Sequence, residues 1–320
     1  MCTRIVRKMK ECEIMKQDNE TTGRQKQGTA PAAGAQLYKG IFFIVLSSFC
    51  FAVMNMFVSM AGDLPAMQKS FFRNVVSAVF AFLMIVKNGE KPRIRDRKNL
   101  PDYFLRSLFG TLGIICNFYA LGHLNLADAS MLNKMSPFFT LLFSMLILNE
   151  RATFFQILCV AGAFLGSLFI IKPTFGGMEL LPSFAGLFGG MSAGAAYTFL
   201  RKLRLAGEPG PMIILFFSVF SCVFVLPSII LGYVPMTGRQ FGILILAGLF
   251  ASGGQFSITA AYSYAPANQI SIYDYSMMIF STLLGFFVLG QVPDAMSFVG
   301  YALICTMAVL MYLYNRRREQ

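Results

Sequence analysis

The chain is poor in the residues on which enzymes and soluble domains rely. It has one histidine and no tryptophan, and only 13% of its 320 residues are charged, against about 25% in ordinary soluble domains. A single histidine leaves little room for acid–base or metal chemistry built on imidazole. The short motifs of nucleotide-binding loops, zinc proteases and serine hydrolases do not occur. These absences argue against an enzyme, and we expect no cofactor.

The seven cysteines lack the spacing of a metal site. Most of them fall inside apolar stretches, where cysteine behaves as a small hydrophobic residue. Neither a disulfide framework nor a zinc site is therefore indicated.

What the chain has in abundance is apolar length. Hydrophobic residues make up 56% of it, and a soluble fold of this size would be unable to bury so much apolar surface. The net charge of +12 then reflects basic cytoplasmic loops rather than affinity for nucleic acid. We predict an all-α integral membrane protein with no nucleic-acid partner.

Ten transmembrane helices are predicted, since each needs about 20 mostly apolar residues. The apolar segments are interrupted by Gly, Ser and Ala rather than alternating, which favours helices over barrel strands. The predicted spans are 38–60, 66–86, 104–122, 126–148, 154–171, 183–201, 211–232, 240–261, 266–289 and 295–314. Polar residues 1–36 are predicted to form a disordered cytoplasmic tail, and 315–320 a cytoplasmic stub.

Basic residues indicate the orientation. If the N-terminus is inside, most of the 27 Lys and Arg fall in the tail, in loops 87–106 and 201–204, and in the C-terminal cluster 316–318. This is the distribution that the positive-inside rule requires. We therefore expect both termini to be cytoplasmic and the protein to lie in the plasma membrane, as a bacterial inner-membrane protein.

A weak internal repeat accompanies this topology. A shift of about 141 residues lays the fourth and fifth spans over the ninth and tenth. Because each half then has an odd number of spans, the halves 38–171 and 183–314 would enter the membrane in opposite senses. Two inverted five-helix repeats are typical of secondary transporters, with the substrate site near the midplane. The shift superposes Ala120, Ser130, Phe139, Leu142 and Leu148 on Ala261, Ser271, Phe280, Leu283 and Leu289.

Motifs in the first half resemble those of a known family. They are Phe118-Tyr-Ala-Leu, Leu126-Ala-Asp-Ala-Ser, Ser136-Pro-Phe-Phe and Asn149-Glu-Arg, which resemble the EamA-type permeases of the drug/metabolite transporter superfamily. Asn149 stands where that family usually has Gly, and Gly290-Gln291 stands where Gly-Glu is usual. The resemblance implies ten helices in two inverted halves and alternating access around a central cavity. Relatives export amino acids and other metabolites, or take up S-adenosylmethionine, carboxylates or sugars.

Charged residues inside the spans are the first candidates for function, because an intramembrane charge costs roughly 3 kcal/mol or more. Arg73 lies about 10 Å below the outer surface. Its guanidinium either snorkels outward or grips a substrate carboxylate from the cavity.

Lys134 and Asp274 both fall near the midplane, at almost symmetry-related positions of the fourth and ninth spans. They form either a buried ion pair that locks the two halves together or a coupling pair, with Asp274 protonatable and Lys134 its partner or a substrate contact. The shift of 141 residues superposes Asp274 on Asn133, which precedes Lys134 in the fourth span.

Three further positions belong to the predicted site. Pro137 is expected to kink the fourth helix beside Asn133 and Lys134, either as a plain kink or as part of a cavity lining. Tyr273 and Tyr275 flank Asp274, and one of them is expected to share its helix face and to contact substrate.

The sequence therefore predicts a secondary transporter that moves a small organic metabolite by alternating access. The metabolite would be amino-acid-like, a carboxylate or similar to S-adenosylmethionine. A non-transporting membrane scaffold or sensor is the alternative. The expected partners are a small-molecule substrate and the lipid bilayer. Proton coupling and facilitated diffusion both stay open, as do a monomer and a homodimer.

Overall fold

Helices occupy each of the ten predicted spans. The structure is a computed structural model that describes residues 33–89, 92–123, 132–149, 152–171, 180–289 and 295–319. Most of the predicted tail lies outside these residues, but its last four residues are helical. The helices are α1 (Ala33–Met60), α2 (Ala66–Lys87), α3 (Leu100–His123), α4 (Ser136–Ile147), α5 (Phe154–Ile171), α6 (Leu180–Leu205), α7 (Gly210–Gly232), α8 (Gly238–Tyr264), α9 (Ala267–Ile270), α10 (Ser276–Leu289) and α11 (Ala295–Glu319). Helix α11 continues to Glu319, so the predicted C-terminal stub is largely helical.

The surface of the bundle is apolar, as contact with lipid requires. Large side chains such as Leu231, Phe154 and Phe287 are 88%, 81% and 77% exposed. Among the described residues, six stretches are long and apolar enough to cross a membrane: α1, α2, α3 with the turn before it, α7, α8, and α9 with α10. Shorter apolar helices lie within α4, α5 and α11.

Two spans are broken near their middle. In the fourth span the chain forms a turn at Lys134–Met135 before α4 begins at Ser136, so Pro137 lies in the first turn of a new helix rather than inside a kinked one. Proline is well tolerated there because the first helical amides have no partner within the helix. In the ninth span, α9 and α10 are joined by a 3₁₀ segment, Ser271–Tyr275. Both breaks therefore contain a predicted charged site residue.

Most helix contacts join the two halves of the chain. Helix α1 packs along α8, α3 along α6, α2 along α7, and α5 along α11. Helix α4 also packs on α6, and α10 on α1. Exchanging the first five spans for the second five reproduces this set of contacts.

A stripe of glycines on α6 brings it close to the fourth span. A Cβ on Gly190 would overlap the carbonyl oxygen of Leu132, and one on Gly194 would lie 2.6 Å from the Cβ of Phe139. Small residues allow two membrane helices to approach closely. The stripe therefore packs against the fourth span on both sides of its break.

At one end of the bundle, the Glu208 carboxylate joins the α6–α7 loop to the α2–α3 loop. Glu208 is fully buried and accepts hydrogen bonds from the side chains of Asn99 at 2.8 Å and Tyr103 at 3.0 Å. The backbone amides of Arg95 and Asp96 also donate to it, at 3.2 and 3.1 Å. Burial alone would raise the pKa of Glu208, but these four hydrogen bonds outweigh it and the pKa is lowered. The two halves are thus tied together at this face.

Asn149, two residues after the end of α4, stands where the resembling family usually has Gly. Asn149 has φ 52, and it is the one non-glycine with positive φ in the described part of the chain. Asparagine tolerates this left-handed conformation better than most residues. Asn149 therefore adopts here a conformation that glycine also adopts readily.

We predict that Glu208→Gln lowers the free energy of unfolding at pH 7 by about 1–3 kcal/mol, because four donors lose a charged acceptor. The lowered pKa means that the carboxylate stabilises the protein fully above about pH 4.3. This contribution disappears as the pH falls through the folded-state pKa. Thermal unfolding of the purified protein in detergent should therefore show a gap between wild type and variant that narrows in acid. Asp63→Asn, at an exposed acid, is the control, and a gap that is constant with pH contradicts the assignment.

Gly190→Ala is expected to destabilise the protein by about 1–3 kcal/mol, because the new methyl group meets backbone that has no room to move. Gly242→Ala in α8 is the matched control, since a Cβ there meets nothing within 4 Å. Thermal unfolding in detergent compares them. Equal melting temperatures for the two variants would show that α6 does not depend on this close approach.

Candidate functional site

A polar cavity of about 70 Å³ lies at the centre of the bundle. Side chains from α1, α2, α3, α6, α7 and α8 line it, together with both helix breaks. This volume holds a few water molecules and is smaller than the several hundred Å³ typical of ligand pockets. The cavity would have to widen to take a metabolite.

The cavity contains a buried ion pair between the two broken spans. Lys134 Nζ lies 3.0 Å from Asp274 Oδ2, with side chains 3% and 7% exposed. Lys134 also donates to the backbone carbonyl of Asp274 at 3.2 Å. Ser48 on α1 donates to the other carboxylate oxygen at 3.0 Å. The predicted pair is therefore formed, and each oxygen of the carboxylate has a donor.

Arg73 faces the same cavity from α2. It is 1% exposed, so it does not snorkel to the surface. Its Nη1 donates to Asn74 Oδ1 at 3.0 Å, and Asn74 donates in turn to Ser70 and Ser221. These bonds hold the arginine between α2 and α7 and leave its Nε without a hydrogen-bond partner.

Arg106 is a cavity residue that was not among the predicted site residues, because it was counted with the basic residues of segment 87–106 although the predicted span 104–122 contains it. Helix α3 begins at Leu100, four residues before the predicted span, and Arg106 is 2% exposed. Its Nη2 donates to Gln255 at 3.1 Å, and its guanidinium lies 4.3 Å from the centre of the Phe217 ring. Pro101 is a helix-start signal, and it predicts that the helix is already formed at Arg106.

The tyrosines next to Asp274 do not line the cavity, contrary to the expectation that one of them would. Tyr275 is fully buried in an apolar cluster with side chains of α5 and α11, and Tyr273 packs against the same cluster. Adjacent residues lie about 100° apart in an α-helix and about 120° apart in a 3₁₀ helix, so neither tyrosine shares the direction of Asp274 in either geometry.

Other polar side chains take the place of those tyrosines. Asn133, as predicted, lies at the cavity wall. Tyr197 of α6 also lines it and stacks on Tyr262, with ring centres 5.8 Å apart. Asn55 of α1 has a buried Oδ1 without a hydrogen-bond partner and faces the cavity too. Tyr197 and Asn55 sit in apolar runs whose polar members carry no motif, so the sequence did not single these two out.

A wider cleft of about 640 Å³ opens at the end of the bundle opposite Glu208. The α1–α2 turn, the end of α3 and the start of α6 form its walls, and His123 and Lys69 line it. Phe118 is common to this cleft and the central cavity. Its ring therefore stands between the two spaces.

A helical membrane bundle with a buried, charged cavity between two halves is the architecture of a membrane transporter. The model of the EamA-like transporter family matches this chain twice, over residues 38–172 and 181–313. The chain belongs to that family, which confirms the resemblance inferred from its motifs.

Relatives with assigned names are transporters. The pseudopaline exporter CntI of Pseudomonas aeruginosa is 32% identical over 280 residues, 86% of this chain and 96% of that protein. Human solute carrier family 35 member G1 is 28% identical over 79% of this chain and 73% of its own. The riboflavin transporter of Brucella anthropi is 25% identical over 82% and 94%. A solved crystal structure covers 88% of this chain and 99% of its own with a TM-score of 0.74 at 16% identity, so the fold is shared.

We predict that Lys134→Met or Asp274→Asn alone lowers the free energy of unfolding by about 3–5 kcal/mol, because each leaves one buried group unpaired. The double variant Lys134→Met with Asp274→Asn is expected to recover most of this loss. Thermal unfolding in detergent of wild type, the two single variants and the double variant measures this double-mutant cycle.

The control cycle is Lys202→Met with Asp102→Asn, a pair 2.8 Å apart whose side chains are 43% and 13% exposed. These changes should lower the free energy of unfolding by at most about 1 kcal/mol, as for other solvent-exposed ion pairs. Equal losses in the two cycles would contradict the prediction that burial makes the Lys134–Asp274 pair costly to break.

Proposed function

We propose that this protein is a secondary transporter that moves a small organic metabolite across the membrane by alternating access. The observation that carries the proposal is the Lys134–Asp274 ion pair. It joins the breaks of two spans, one from each half of the chain, at the wall of a buried polar cavity. Broken helices around a midplane site are the usual construction of secondary transporters.

The helix contacts support an inverted repeat. Exchanging the first five spans for the second five reproduces them, and the family model matches each half once. In this proposal the halves rock against each other around the cavity, and the ion pair breaks and forms again as they do so. Asp274 is the proposed coupling residue if transport is proton-driven, because it is the one acidic side chain among the described residues that line the cavity.

The orientation with both termini in the cytoplasm gives the two ends of the bundle distinct roles. The Glu208 contacts then close the cytoplasmic face, while the cleft at Phe118 opens outward. The structure would thus represent an outward-facing state with a constricted binding cavity. The opposite state would require the loop contacts of Glu208 to separate.

The substrate in this proposal is amino-acid-like, a carboxylate or similar to S-adenosylmethionine. Three cationic side chains and one carboxylate at the cavity, Arg73, Arg106, Lys134 and Asp274, favour an anion or a zwitterion. Asn55, with its free acceptor oxygen, suits the ammonium group of an amino acid. The name of the pseudopaline exporter supports export as the direction to examine first.

We expect that the double variant Lys134→Met with Asp274→Asn folds but loses transport, because the pair is required in one state and must break in the other. Efflux of a labelled metabolite mixture from proteoliposomes measures this against wild type. The double variant Lys202→Met with Asp102→Asn controls for loss of a surface pair and should transport normally. Wild-type flux without the Lys134–Asp274 pair would overturn its role as a gate.

A further inference from the structure

Two buried arginines in the central cavity lack acidic partners among the residues that the structure describes. Arg73 of α2 and Arg106 of α3 are 1% and 2% exposed, and both line the cavity. The ion pairs found among the described residues are Lys134–Asp274 and Lys202–Asp102. Neither arginine therefore has a carboxylate within 4.0 Å in that part of the chain.

The hydrogen bonds of the two guanidinium groups are also incomplete. A guanidinium has five N–H donors, yet within the described part of the chain each group makes one side-chain hydrogen bond, Arg73 to Asn74 and Arg106 to Gln255. The Nε atoms of both are buried without a partner. Buried charges are normally paired and hydrogen-bonded because leaving them unpaired is costly. These two guanidinium groups are therefore suited to binding an anion.

The position of Arg106 is determined by packing rather than by a polar partner. Its guanidinium lies over the Phe217 ring, an arrangement that stabilises a cation. Gly110, one turn further along α3, leaves the space for it, since a Cβ there would meet both Arg106 Nη1 and the Phe217 ring. The fold thus holds the guanidinium in place before a ligand arrives, which lowers the cost of binding.

The charges that remain set the class of ligand. Lys134 and Asp274 neutralise each other across 3.0 Å, which leaves the two arginines as the uncompensated charge of the cavity. A planar guanidinium matches a carboxylate in a two-bond fork, and the two arginines come from different helices. A substrate similar to S-adenosylmethionine would bring positive charge beside both of them.

We propose that the cavity binds a metabolite with two carboxylate groups, one for Arg73 and one for Arg106. Arg106 is then a specificity-determining residue that separates dicarboxylates from monocarboxylates. This inference rests on the proposed function in taking the ligand to be the transported substrate, but the binding itself is measured separately from transport.

The test is isothermal titration calorimetry of the purified full-length protein in detergent. Malonate, succinate, glutarate and adipate are each compared with the monocarboxylate of the same carbon number. At least one dicarboxylate should bind about tenfold or more tightly than its partner. Arg73→Gln and Arg106→Gln should each weaken it about 10- to 100-fold, as expected for a lost charge-assisted fork, and should remove the preference. Arg239→Gln, at an exposed arginine, should leave both affinities unchanged.

Three results would overturn the inference: equal affinities for the two series, a preference that survives Arg106→Gln, or inorganic phosphate binding more tightly than every dicarboxylate. Arg106→Lys keeps a cation over Phe217 but not the fork. It should fold and still lose affinity, so it replaces Arg106→Gln if that variant does not fold.

Proteoliposome flux separates this inference from the proposed function. Transport of a solute without carboxylates, together with no dicarboxylate binding, contradicts the inference and leaves the transporter assignment intact. Dicarboxylate binding that depends on Arg106, in liposomes that move no solute, supports the inference and contradicts the transporter assignment.

Discussion

Backbone polar groups cannot be left unpaired in lipid, and this constraint governs the centre of the molecule. Two spans are nevertheless interrupted, at Lys134–Met135 and at Ser271–Tyr275. Both interruptions are buried inside the bundle, where Lys134 and Ser48 bond to the carboxylate of Asp274 and also reach its backbone carbonyl. One ion pair therefore stabilises the irregular backbone and joins the halves of the chain. The close packing of α6 on the fourth span, and of α1 on α8 and α10, holds the two breaks against each other.

The ends of the bundle differ in how firmly they are closed. At one end the Glu208 carboxylate accepts four hydrogen bonds from the α2–α3 loop and the start of α3. At the other end a cleft reaches down to Phe118. The polar cavity lies between them, with a net excess of positive charge from Arg73 and Arg106. A substrate that neutralises this charge would offset the cost of keeping two guanidinium groups out of water, and this links the stability of the protein to the ligand it binds.

Family membership indicates the class of protein, whereas the chemistry of the site determines which substrate it takes. The EamA-like match and the relatives define a transporter of small metabolites, whereas the named relatives differ in what they carry. Specificity must then reside in side chains placed on a shared frame. Arg106 illustrates this, since its position depends on Gly110 and Phe217, two residues from different halves of the chain.

The sequence by itself determined the membrane class, the ten spans and the candidate charges Arg73, Lys134 and Asp274, because runs of apolar residues and isolated charges within them are readable without long-range contacts. Pro137 was expected to kink a helix and instead lies in the first turn of a new one. Only the tertiary structure decided that Arg106 lies in the cavity and that Tyr273 and Tyr275 do not. Both tyrosines pack into an apolar cluster with side chains of α5 and α11, and Arg106 packs over Phe217 from the other half of the chain. Such placements depend on what each segment packs against, and that information is absent from any single stretch of sequence.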